Sequence, residues 1–131
     1  MNKKVKFNEL KDYVVKMPSV WAGGEDDEYK VKVVKTTYTN NGSVALILFD
    51  SETKEEFDII TVNLEDSLAD EKSAYLDTNN CRWAEDFLIK NKLGKFAQSY
   101  GYSGFCVYPL YEIAVDKIEE YDNINWGRTK W

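Results

Sequence analysis

Glu55, Glu56 and Asp58, and upstream Asp26 and Asp27, place carboxylates within a few residues of one another. That is the grouping that does general acid and base work or holds Mg2+. The chain has 23 acidic residues in 131, so such neighbours also arise by chance. No other residue type completes a site around them. Histidine is absent, which removes Ser-His-Asp and Cys-His centres and the usual neutral-pH proton shuttle. Cys81 and Cys106 are the only cysteines and stand far apart, too few for a zinc site of the common kinds. There is no Gly-x-x-x-x-Gly-Lys loop and no Gly-x-Gly-x-x-Gly fingerprint. Asp50-Ser51-Glu52 begins like a calcium loop but lacks Gly at the sixth place and Glu at the twelfth, so it reads as a polar turn. Cys81, next to Arg82 at the start of a predicted helix, could carry a stabilised thiolate. The simpler reading is a small packed residue, with both cysteines free in a reducing compartment. The expectation is therefore no enzyme, no cofactor and no metal.

Aromatic residues offer binding in place of catalysis. Tyr100, Tyr102, Phe105, Tyr108 and Tyr111 are dense enough to line a groove for a peptide, a sugar or a base, and also suited to finishing a small core. Trp126, Arg128, Lys130 and Trp131 mix cations with aromatic faces, as single-strand binders do, but read more simply as part of a tail. The net charge of −6 is unevenly spread. Residues 50–86 hold three basic and twelve acidic groups, a net of −9, which opposes phosphate and disfavours a general nucleic-acid role. Such a surface either solubilises or meets a basic partner. The candidate interaction surface consists of Tyr100, Tyr102, Tyr108 and Tyr111 with Glu55, Glu56, Asp58 and Asp66.

These residues need a scaffold, and the length suits one domain with a core of its own. Lys3 to Lys16 fits either a short helix capped by Asn8 or a strand through Val5 and Phe7. Pro18 and the run Val20 to Glu28 read as an exposed connection with Trp21 at its base. Tyr29, Val31 and Val33 alternate with lysines, as in a strand with one wet face. Asn40-Asn41-Gly42 predicts a tight turn. Val44 to Phe49 is apolar throughout, which predicts a central strand covered on both faces. Phe57 to Leu64 returns as a third strand. Tyr75 to Phe96 carries one amphipathic helix over about 80–93, capped by Asn79 or Asn80 and closed by Gly94, with Trp83, Ala84, Phe87 and Leu88 as its apolar face. Tyr100 to Gly104 is too rich in glycine for regular structure. Phe105 to Ile113 is a fourth strand that Pro109 places at an edge or a bulge, and Val115, Ile118 and Tyr121 fit a short terminal helix. The expected fold is α+β: an antiparallel sheet of about four strands, a meander plus one later strand, packed by one main helix with short flanking helices. It is expected as a single domain over 1–131, with 1–28 as an N-terminal extension and 123–131 as a flexible tail. No run approaches the roughly 20 apolar residues of a membrane span, and residues 1–7 lack the apolar stretch of a signal peptide, so the cytoplasm is the expected location.

Thr61-Val62-Asn63-Leu64, Ala74 to Asn80, Trp83 to Leu88, Leu93-Gly94 and Tyr102 to Glu112 together resemble a family of small bacterial proteins of unknown function, often encoded on conjugative and other mobile elements. The Asp77-Thr78-Asn79-Asn80 and Ser103-Gly104-Phe105 to Leu110 blocks are its most specific parts. The resemblance implies no activity, cofactor or site residue. It implies a setting, in which transfer, regulation and evasion of host defence are common tasks. Two functions follow as expectations. One is a non-enzymatic accessory module that docks on another protein, in a sharper version an inhibitor of a host defence factor. The other is a small-ligand or single-stranded nucleic-acid binder using the Tyr100–Tyr111 aromatics.

Overall fold

The computed structural model describes residues 4–17, 24, 26–64 and 68–127. Its elements are β1 (Val5–Lys6), β2 (Tyr13–Met17), β3 (Asp27–Thr37), β4 (Val44–Asp50), β5 (Glu56–Ile59), β6 (Thr61–Val62), β7 (Ser73–Leu76), α1 (Ala84–Lys90), β8 (Gly94–Ser103), β9 (Cys106–Ile113), β10 (Glu119–Glu120) and β11 (Ile124–Asn125). Short 3-10 turns at Phe7–Glu9, Val115–Lys117 and Tyr121–Asn123 complete it. Strand makes up 50% of the described residues, and α-helix and 3-10 turns together 14%. The α+β expectation of one four-stranded sheet under a main helix is thus overturned: the fold is mostly β, with three sheets and, among the described residues, one α-helix of seven residues.

The helix is shorter than 80–93 because local hydrogen bonds at both ends outcompete it. Asp77 accepts from the Asn80 backbone N–H and side-chain amide, and its carbonyl accepts from Cys81. Residues 77–81 therefore close into a turn, and neither Asn79 nor Asn80 caps the helix, whose N-cap is Trp83 without a side-chain bond. At the other end Lys92, at φ +56, takes the left-handed position expected of Gly94. Leu93 N–H reaches Leu88 C=O at 2.9 Å and Lys92 N–H reaches Ile89 C=O at 3.1 Å, the paired closing bonds of a helix C-terminus. Gly94 instead starts β8. The apolar face is the one expected: Ala84, Phe87 and Leu88 are buried, and the half-buried Trp83 ring meets Phe87 and Phe57 edge-on at 6.0 Å.

The meander forms as β3–β4–β5, antiparallel, turning through Gly42 at φ +72. Its third strand does not run on to Leu64. The buried Ile60 gives its N–H to Leu46 C=O and accepts from Asp77 N–H, so the chain changes sheets there: β5 pairs with β4, and β6 pairs with β7. Both β2 and β10 lie along the other side of β3, antiparallel and parallel respectively. The second sheet has the order β6-β7-β9-β8, and β1 pairs with β11 in a third. Residues 4–17 thus resolve as two strands on either side of a 3-10 turn that takes in Phe7, and Val115 to Tyr121 as 3-10 turns around β10 in place of a terminal helix.

Strand β4 is covered on both faces, as its unbroken apolar run requires. Val44, Leu46 and Leu48 enter the main core with Val31, Val33, Ile60, Leu76, Phe87, Leu88, Tyr111 and Ile113, between the two larger sheets and α1. Phe49 enters a second core with Phe7, Val34 and Ile124, flanked by Ile47, Tyr121 and Trp126. Residues 123–127, read in the sequence as the start of a tail, supply part of that cover, while 128–131 lie outside the described residues. The face of β3 expected to be wet is instead covered here, and Lys32 is only 4% exposed. Its Nζ donates to Asp12 and to Leu10 C=O, each at 2.7 Å, and lies 5.7 Å from the centre of the Phe7 ring. A buried ammonium costs several kcal/mol unless paired, so these contacts pin residues 7–12 onto the sheet.

Candidate interaction surface

Strands β8 and β9 form a hairpin whose base belongs to the main core and whose far half does not. At the base Phe96 pairs with Tyr111 and Lys95 with Glu112, the latter also an exposed ion pair at 3.4 Å. The register then slips between Phe96 and Tyr100, with Gln98 at φ +57, and resumes as Tyr100 opposite Pro109, Gly101 opposite Tyr108, Tyr102 opposite Val107 and Ser103 opposite Cys106. Pro109 sits at this bulge, one of its two expected places, and just past the end of the β7 ladder, where its missing N–H leaves no gap. Tyr100 to Gly104, expected to be irregular, is strand followed by a two-residue turn, with Gly104 at φ +58 in its first place. Gly101 serves another need. A Cβ there would stand 2.4 Å from Leu64 Cδ1 and 2.7 Å from Tyr75 Cε1, so Tyr75 and Leu64 close over a strand kept bare at that point.

The pairing sorts the predicted aromatics. Tyr100, Tyr102, Val107 and Pro109 share one face of the hairpin, continuous with Phe96 and Tyr111 but beyond the cover of α1. Tyr108 lies on the opposite face, opposite Gly101. Tyr111 is 1% exposed; its hydroxyl donates to Glu85, and burial together with that carboxylate holds its pKa above the usual tyrosine range. Tyr100 is half exposed, Tyr102 is 70% exposed, and Phe105 at the turn is fully exposed. The structure therefore brings Tyr100 and Tyr102 together, turns Tyr108 to the other face and buries Tyr111 at the base of their own face. It adds Val107, 43% exposed, which the sequence reading passed over. A signal for this surface was present: residues 96–111 contain no charged residue in a chain that is 31% charged. The flanking charges, Lys95 and Glu112, are the pair that closes the base.

The acidic candidates do not converge. Glu55 and Glu56 line a shallow groove of about 560 Å³ with Phe49, Lys54, Tyr121 and Trp126. Lys54 Nζ donates to Trp126 C=O there at 3.2 Å. Asp58 lies toward the other core, near Cys81, and accepts from Ile59 N–H. Asp66 lies outside the described residues. Cys81 is fully buried, and burial, then Asp58, pushes its thiol up to about 12. Burial and the raised pKa both work against a thiolate at that position. Among the described residues no three His, Cys, Asp or Glu side chains stand close enough to hold a metal ion, and no helix is long and apolar enough to cross a membrane.

The family described as "Domain of unknown function (DUF4313)" matches residues 31–128. The chain belongs to this family. The match runs from within β3 through β11 and takes in the four-stranded sheet, the five-stranded sheet apart from β2 and the start of β3, α1 and the whole charge-free hairpin. No curated protein and no solved structure matches the chain.

Proposed function

We propose that this chain is a non-enzymatic protein-interaction module, an accessory or regulatory factor of a bacterial mobile element acting in the cytoplasm, and that it docks through the β8–β9 hairpin. One observation carries this reading: an uncharged aromatic hairpin stands out from a chain that is 31% charged, with Tyr100, Tyr102, Phe105 and Val107 left exposed together. Exposed apolar patches with polar surroundings mark contact sites, and Tyr and Phe are favoured at the centres of interfaces. The resemblance of residues 77–80 and 103–110 supports the mobile-element setting. The dispersal of Glu55, Glu56 and Asp58 over two faces, in a chain without histidine, supports the non-enzymatic part.

A photo-crosslinking residue placed at Tyr102 or Phe105, with one at the exposed Glu28 as control, tests it in bacterial cells. A defined protein adduct at the hairpin positions and not at the control is the expected result. Equal labelling at all three, in folded protein, would sink the proposal.

The groove beside Trp126 favours a second reading as a small-ligand site, because it sets aromatic faces beside two carboxylates. Titration with small organic cations, followed by tryptophan fluorescence, should then quench or shift the signal; an unchanged spectrum would remove this reading.

A further inference from the structure

We propose that the first partner of the hairpin is a second copy of this chain, paired antiparallel along β8 across a two-fold axis at Gly101. This rests on the interaction reading above and specifies its partner. Strand β8 is the last strand of its sheet: β9 occupies one side, and among the described residues no strand pairs with the other. An open strand edge is a template for another strand.

The alternation of the ladder says which groups are free. Across the two-residue turn, Ser103 and Cys106 are the closing pair that exchanges both hydrogen bonds, so Gly101 and Tyr108 do so again two residues on. The N–H and C=O groups of Tyr100 and Tyr102 therefore point outward. A two-fold at Gly101 sets Tyr100 of one copy against the partner's Tyr102, and Tyr102 against the partner's Tyr100, each a fully bonded pair. It keeps all four rings on one face, where cross-strand aromatic pairs stabilise a sheet. Gly101 meets the partner's Gly101 at a non-bonded place, the closest approach in an antiparallel ladder.

Charge leaves this edge open to a second copy: the negative charge of each chain is concentrated in residues 50–86, at −9, whereas residues 96–111 present no charge to a partner copy. A basic partner would be drawn to the acidic segment instead.

Sedimentation equilibrium of the full chain over a range of concentrations tests the proposal, with thermal melting to confirm that each variant folds. A monomer–dimer equilibrium that tightens with added salt is expected, because salt screens the repulsion between the acidic bodies. The double variant Tyr100→Glu, Tyr102→Glu brings four carboxylates together and should weaken the dimer by at least about 100-fold. The double variant Tyr100→Lys, Tyr102→Glu places opposite charges across the same two-fold and should restore it. In the wild-type chain, hydrogen exchange at the Tyr100 and Tyr102 amides should slow as concentration rises, a readout that needs no variant. A chain that stays monomeric at every concentration, or a dimer indifferent to the Glu pair, would overturn the self-pairing. Monomers that float with phosphatidylcholine vesicles would overturn it in favour of a lipid surface. If the monomeric chain still gives hairpin-specific adducts to a different protein in cells, the interaction reading stands and only the second copy falls.

Discussion

At the base of the β8–β9 hairpin, Phe96 lies 5.9 Å from Tyr111, whose ring is sealed in the main core and whose hydroxyl is held by Glu85. At its tip, Tyr102 and Val107 face each other across the same two strands and remain exposed. The two halves use the same kinds of residue, and the boundary between them is the bulge at Phe96–Tyr100. The contrast teaches that an aromatic strand is a core element only as far as another layer reaches. Past the bulge Tyr100, Tyr102 and Val107 come to the surface, while Gly101 and Pro109 stay buried. Beyond that line the same side chains become a surface, and the absence of charge there leaves them fit for contact with another molecule.

Substitutions at the two halves should separate by stability. Tyr111→Ala removes a large buried ring and orphans the Glu85 carboxylate, and should cost about 3–5 kcal/mol by denaturant unfolding. A cost below about 1 kcal/mol would mean that the base is not core. Gly101→Ala drives a methyl into Tyr75 and Leu64, and should cost about 1–3 kcal/mol; a neutral result would show that those two residues do not close over the hairpin. A control far from the hairpin is Asp12→Asn, which leaves the buried Lys32 ammonium one charged partner short and should cost about 1–2 kcal/mol. The Lys32 hydrogen bond, then that of Ser51, lowers the Asp12 pKa below 3.8. The stability it contributes is therefore present above that pH and is lost as pH falls through the lower folded value. Wild type and Asp12→Asn should converge in stability in that acid range, a pattern that melting curves against pH will show. The smallest effect belongs to the tip: Tyr102→Ser should change stability by less than about 0.5 kcal/mol. A larger loss would make Tyr102 a structural residue and weaken the hairpin as a contact surface.

Much of the scaffold was legible along the chain. The period-2 pattern of Tyr29 to Val33, the Asn40-Asn41-Gly42 turn and the unbroken Val44–Phe49 run give the meander and its doubly covered middle strand. These are signals of adjacent residues, set by strand periodicity and turn conformation. The apolar face of α1 was legible for the same reason, but its length was not. The turn built on Asp77 and the left-handed Lys92 are choices between competing local hydrogen bonds that periodicity does not rank. The sequence named Tyr100, Tyr102, Tyr108 and Tyr111 together as candidate aromatics, for contact or for core, and could not say which of them the fold leaves exposed.

By itself the sequence determined the β3–β4–β5 meander, the exclusion of histidine-based chemistry and the charge-free stretch from Phe96 to Tyr111. Only the tertiary structure decided that Ile60 hands the chain from one sheet to the other, that residues 123–127 cover the back of β4, and that the same aromatic strands are buried at one end and exposed at the other. The physical reason is that side-chain type fixes what a residue gains from burial, whereas burial itself depends on which distant segment arrives to exclude the water.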